Sequence, residues 1–154
     1  IKLPFIAAGG IYDARSMCAA MMLGADGVQI GSRFAACNES SAHSFFKKQV
    51  IKAKEGDTIL TLKEITPVRL IKNDFFLKIL KAYGRNATID ELKDLLAKGR
   101  AKKGIFEGDL IEGELEIGQV SSMINKIQSA NEIVKEIIND YNKIIQSKDF
   151  IFYD

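Results

Sequence analysis

The sequence predicts an α/β fold with further strands near its middle, and three observations point there. Residues 3–34 run through a short apolar stretch, a glycine pair, an amphipathic segment, a second apolar stretch and a glycine followed by serine. That is the order strand, loop, helix, strand, loop. Residues 58–65 and 67–71 are rich in β-branched side chains and read as two more strands. Elsewhere apolar residues recur every three or four positions, the spacing of helices with one buried face.

With 154 residues, 47% hydrophobic and 27% charged, the chain has the make-up of one globular domain able to bury a core. Its 22 Lys and Arg against 20 Asp and Glu leave +2. The signs are interspersed, so nothing marks nucleic acid as a partner. No apolar run nears the roughly 20 residues that span a bilayer, and the start lacks the apolar stretch of a signal peptide. A cytoplasmic protein with no membrane partner is expected. Cys18 and Cys37 have neither zinc-ligand spacing nor the density of a disulfide scaffold, so both read as structural and no metal is expected. The chain opens on Ile1 and at once enters what reads as a strand buried on both faces, which needs neighbours. Few are supplied, and a fragment lacking its N-terminal part is expected.

In chain order, the apolar run at residues 3–8 is a strand, with Pro4 near its start where a missing donor is tolerated. Asp13 is the N-cap of a helix over residues 14–23 with Met17, Ala20 and Met21 inward, and Gly24 stops it. Residues 27–30 form the second strand and 31–34 a loop. Residues 42–55 form a helix with Phe45, Phe46, Val50, Ile51 and Ala53 buried and the lysines from Lys47 to Lys54 solvated. After the two strands at 58–71, residues 74–83 form a helix with Phe75, Phe76, Ile79 and Leu80 inward, ended by Gly84. Thr88 and Glu91 make a capping box for a helix over 89–98, residues 100–109 form a charged, glycine-rich loop, and residues 118–124 open a short helix. Ser129 and Glu132 cap the last long helix, whose stripe runs from Ile133 through Ile145; in the tail at 148–154, Phe150 to Tyr153 are apolar enough to dock on a neighbour.

A strand–helix–strand crossover is right-handed in nearly all proteins and puts both glycine loops at one edge of a parallel sheet, where such folds bind ligands. Gly9, Gly10, Gly31 and Ser32 therefore read as a phosphate site. Glycine lets backbone N–H groups approach an anion, and a hydroxyl adds one donor. The competing reading is that these glycines only make tight turns. Ala8, Gln29 and Ile30 flank the site, and Gln29 reads equally as a packed strand residue. His43, the single histidine, reads as a helix-start or surface residue. Arg33 reads as solvated before phosphate-neutralising, and Arg100, Lys102 and Lys103 as a surface loop before a patch for an acidic carrier protein or a dinucleotide phosphate.

The pairing of P-F-I-A-A-G-G-I at residues 4–11 with L-G-A-D-G-V-Q-I-G-S-R-F at residues 23–34 closely resembles the FMN-binding half of the nitronate monooxygenase family. That family, once called 2-nitropropane dioxygenases, includes the FMN-dependent enoyl-acyl-carrier-protein reductase II. Further likeness lies in E-S-S-A-H-S-F-F-K at 39–47, G-R-A-K-K-G-I-F-E-G-D at 99–109 and G-E-L-E-I-G-Q-V-S at 113–121. The resemblance implies the C-terminal portion of a TIM (β/α)8 barrel, with strand seven at 3–8 and strand eight at 27–30. Residues 1–55 then hold these strands and the phosphate loops, 56–112 an inserted subdomain, 113–148 the returning barrel helices and 149–154 the tail. It implies FMN, bound around Ala8, Gly9, Gly10, Gln29, Ile30, Gly31 and Ser32. Gln119 joins them through its likeness to the family's Gly-Gln segment beside the flavin, the alternative being a helix start in the core. The family's catalytic histidine falls upstream of Ile1, so no catalytic residue is assigned here. The implied activity is oxidative denitrification of alkyl nitronates by oxygen. The alternatives are an NAD(P)H-dependent enoyl reductase acting on enoyl thioesters, and a non-catalytic phosphate-binding fragment. A homo-oligomer is compatible with each.

Overall fold

The structure, a computed structural model, describes residues 3–147. The apolar tail at 148–154 lies outside the described residues. Strand β1 (Ile6–Ala8) pairs in parallel with β2 (Gly27–Gln29), Ala7 opposite Val28, and helix α1 (Ala14–Met22) crosses between them. Both strands are shorter than the apolar runs suggest. Nor is β1 buried on both faces: Ile6 is 51% exposed, and Leu3 and Phe5 are also exposed. A parallel strand is buried by neighbours on both sides and helices on both faces, and β1 has one partner among the described residues.

Asp13 caps α1 through a capping box with Ser16, and Ala14 and Cys18 are the residues it buries. Met17, Ile30 and Phe34 pack with Cys37, Ile133 and Ile137, which joins α1 to the final helix α6 (Ala130–Gln146). The expected loop at 31–34 is instead the start of a short helix, α2 (Ser32–Ala35), with Gly31 as its N-cap. Helix α3 (Ser44–Lys52) begins where the His43 side chain accepts the Phe45 N–H. It buries Phe46 and Val50 but leaves Phe45 exposed. Lys47, expected in water, is only 7% exposed. Its Nζ donates to the carbonyls of Asn38 at 3.1 Å and Ser40 at 2.7 Å, so the ammonium closes the loop before α3.

The next stretch is an antiparallel hairpin, β3 (Thr58–Thr61) and β4 (Val68–Ile71), followed by α4 (Asp74–Gly84) and α5 (Ile89–Leu96). Leu62, Leu70, Phe75, Ile79, Ala82 and Leu92 make its core. Leu80 is exposed, contrary to its expected place, because it lies about 100° round α4 from Ile79. The chain returns beside β4: the Ile71 N–H donates to the Leu115 carbonyl, and the Ile117 N–H to that of Arg69.

Residues 100–109 are not a loop, since Lys102–Phe106 makes a π-helical turn. Gly104 permits it, because a Cβ there would come 2.5 Å from the Glu114 carbonyl oxygen. The cations of this stretch pair with Glu112, Glu107 and Asp109, and Arg100 also lies 4.4 Å over the Phe75 ring. Residues Gln119–Met123 form a 3-10 turn ahead of α6. Among the described residues no helix is long and apolar enough to cross a membrane.

Candidate functional site

Because β1 and β2 are parallel and in register, the turns that follow them emerge side by side at the carboxyl end of the pair. Gly9 and Gly10 have φ of +102° and +71°, the left-handed region in which glycine carries no steric penalty. Their turn and the one after β2 enclose a concavity of about 230 Å³. Ala8, Gly9, Gly10, Gln29, Gly31 and Ser32 line it together, joined by Ile11 and Val120, which the sequence analysis did not single out, and by Gly118, which entered it only as the glycine of the Gly-Gln likeness.

The two other sequence candidates lie elsewhere. Ile30 packs its side chain with Cys37, Ile133 and Ile137, and Gln119 lines an adjoining concavity with Tyr12, Glu55 and Ser122. That second hollow shares Gly10 and Val120 with the first.

Among the described residues no charged side chain lines the glycine concavity, so the donors found there are neutral dipoles. Gly31 provides no side-chain cap for the first turn of α2, which leaves backbone N–H groups of that turn for an external acceptor. At Gly9, Gly10 and Gly31 an added Cβ would find no atom of the described residues within 4 Å, which leaves room beside these backbones for a ligand. Ser32 Oγ accepts the Gly118 N–H at 3.2 Å and keeps a proton to donate. Glycine backbones, an uncapped turn and a hydroxyl suit a phosphate ester. The residues present therefore fit the phosphate end of a flavin mononucleotide.

Arg33 follows Ser32 but points away. It is 8% exposed, so it is not solvated. Its guanidinium donates to the Tyr12 carbonyl, to Gln128 and to Glu136, all between 2.7 and 3.1 Å. The hydrogen bonds from Gln128 and Arg33 hold the Glu136 carboxyl down at about 2. This network borders a separate cavity of about 350 Å³ between α1 and α6, where Arg33 and Glu136 satisfy each other. His43, besides capping α3, lies against Gly108, where an added Cβ would collide with the imidazole ring. Among the described residues no three His, Cys, Asp or Glu side chains are placed to hold a metal.

A family model described as nitronate monooxygenase matches residues 1–140. The chain belongs to the nitronate monooxygenase family. It is 32% identical over 147 residues to a protein of Staphylococcus saprophyticus described as "Probable nitronate monooxygenase", covering 94% of this chain and 41% of that one. A protein of Staphylococcus aureus with the same description is 32% identical over 148 residues, covering 96% and 41%. The chain thus spans about two-fifths of the length of the curated nitronate monooxygenases it matches.

Among solved structures, FabK of Thermotoga maritima superposes with a TM-score of 0.85 at 33% identity, covering 95% of this chain and 46% of that one. A nitroalkane oxidase of Streptomyces ansochromogenes superposes with a TM-score of 0.66 at 28% identity, covering 93% and 40%. The α/β fold described above is similar to part of each.

Proposed function

We propose that this chain is the cofactor-anchoring part of an FMN-dependent oxidoreductase of the nitronate monooxygenase type, with β1 and β2 as strands seven and eight of a TIM barrel. The observation that carries the reading is the concavity where Gly9, Gly10, Gly31 and Ser32 converge with Gly118. Backbone N–H groups and the Ser32 hydroxyl take the phosphate, and the glycines keep Cβ atoms out of its way. The exposed apolar side chains of Leu3, Phe5 and Ile6 fit strands that other parts of a barrel would cover.

FMN held there would supply the redox chemistry for oxidising a small-molecule nitronate with oxygen. This chain's residues position it by its phosphate end. The proton acceptor is assigned outside the chain, because His43 is spent on capping α3. Residues 1–55 and 113–148 then belong to the barrel and 56–112 to the inserted subdomain. The buried free thiols of Cys18 and Cys37 fit a reducing, cytoplasmic setting.

The FabK likeness favours a second reading, the NAD(P)H-dependent enoyl-acyl-carrier-protein reductase of the same family.

The first experiment is an FMN titration of the purified chain by flavin fluorescence, with riboflavin as the phosphate-free control. Saturable FMN binding with little riboflavin binding supports the phosphate site, and a folded chain that binds neither removes it. In a protein carrying the rest of the barrel, oxygen uptake driven by a nitronate selects the first activity. Flavin bleaching by NAD(P)H with indifference to nitronates selects the second.

A further inference from the structure

We propose that Gly118 is a positioning residue for the phosphate subsite, holding the Ser32 hydroxyl as a hydrogen-bond donor turned toward the anion; the proposal rests on the FMN reading above. The two residues lie 86 positions apart, yet the Gly118 N–H donates to Ser32 Oγ at 3.2 Å and both line the concavity. Glycine there leaves the Ser32 hydroxyl undisplaced, whereas a Cβ would force that short side chain to turn aside. Gly118 has an ordinary φ of −67°, but a Cβ on it would come 2.6 Å from Ser32 Oγ, closer than such atoms approach. Gly31 differs, since a Cβ there meets no protein atom within 4 Å.

A hydroxyl has one proton and two lone pairs. The Gly118 N–H occupies a lone pair, and among the described residues the only hydrogen bond of Ser32 Oγ is this one. The proton is left to point into the concavity, and an N–H donating to the oxygen strengthens the O–H as a donor. A donor held this way favours a phosphate ester over a free alcohol. Gly118 follows the return from the hairpin and α4–α5, so the subsite is completed only when the chain has come back from the insertion.

The test uses the full chain and three variants, Gly118→Ala, Ser32→Ala and the pair, each titrated with FMN and with riboflavin and each melted. Gly118→Ala should weaken FMN roughly tenfold or more, the loss expected for a hydrogen bond to a charged group, and leave riboflavin within about twofold. The double variant should bind FMN no more weakly than Ser32→Ala alone. It should also recover melting temperature lost by Gly118→Ala, because removing Oγ frees the space. Equal losses for FMN and riboflavin, or additive losses in the pair, would overturn the proposal.

Amide exchange at Gly118 in the unaltered chain needs no variant. FMN or inorganic phosphate should slow it several-fold and riboflavin should not, and equal slowing by all three would also overturn the proposal. If Ser32→Ala weakens FMN while Gly118→Ala is harmless, only the role of Gly118 falls. If the unaltered chain binds neither FMN nor phosphate, the cofactor reading falls and this proposal with it.

Discussion

The Arg33 guanidinium meets the Glu136 carboxylate at 2.7 Å, tying the turn after β2 to the middle of α6. Gln128 and Lys126 donate to the other oxygen of that carboxylate at 2.9 and 3.2 Å. Behind the turn after β2, then, lies a fixed support.

Replacing Glu136 by Ala leaves the nine-tenths-buried Arg33 without its anion and should cost roughly 1–3 kcal/mol at pH 7. The carboxyl is held at about 2 against an ordinary 4.5. Its contribution is full above pH 4.5 and is lost as pH falls from there toward 2. Urea midpoints of the two proteins should therefore differ at pH 7 and converge as the pH approaches 2. A constant gap would rule out the ion pair as its source.

Glu114 behaves oppositely. It is 6% exposed, and its Oε1 has no partner among the described residues. Burial, with the Glu116 charge in addition, pushes its carboxyl up to about 7 despite Arg100. The folded state then holds the proton more tightly, so stability falls as pH rises from about 4.5 to 7. Glu114→Gln should raise the melting temperature at pH 8, with the gain fading as pH is lowered to 4.5. A gain that is the same at both ends would mean the charge is not the cause.

His43→Ala removes the α3 cap and should cost about 1 kcal/mol, while FMN affinity stays within twofold. Loss of flavin binding with unchanged stability would move His43 into the site.

Gly31→Ala and Gly31→Val separate anchoring from folding. Gly31 has φ of −100° and no protein neighbour where a Cβ would lie, so Ala should cost less than about 1 kcal/mol. Val should lower FMN affinity much more than it lowers the melting temperature. Parallel losses would make Gly31 a turn residue only.

Features carried by local spacing were legible in the sequence. Thr88 and Ser129 each form the capping box that Glu91 and Glu132 imply, and Asp13 is the N-cap its place before α1 suggests, its box with Ser16 being added by the structure. The crossover and its two glycine turns were equally readable. The misses involve partners distant along the chain or made of backbone. Arg33 finds Gln128 and Glu136 some hundred residues away, and Lys47 is buried by carbonyls that carry no side-chain signal. At the site, strand alternation sends Gln29 and Ile30 to opposite faces, so naming both placed one of them in the core. The Gly118-Gln119 likeness was assigned to the Gln119 amide, whereas its glycine lines the concavity and gives its N–H to Ser32. The glycine between Ile117 and Gln119 was the available signal.

The β1–β2 pair is a sheet of two strands, so among the described residues each strand is also a border. Their outward N–H and C=O rows, together with exposed Ile6, form a template that another β-segment can extend. On the barrel reading proposed above, a peptide carrying a flanking strand should be captured in solution, and without it the same rows invite self-association. Light scattering of the chain with and without such a peptide would register the difference.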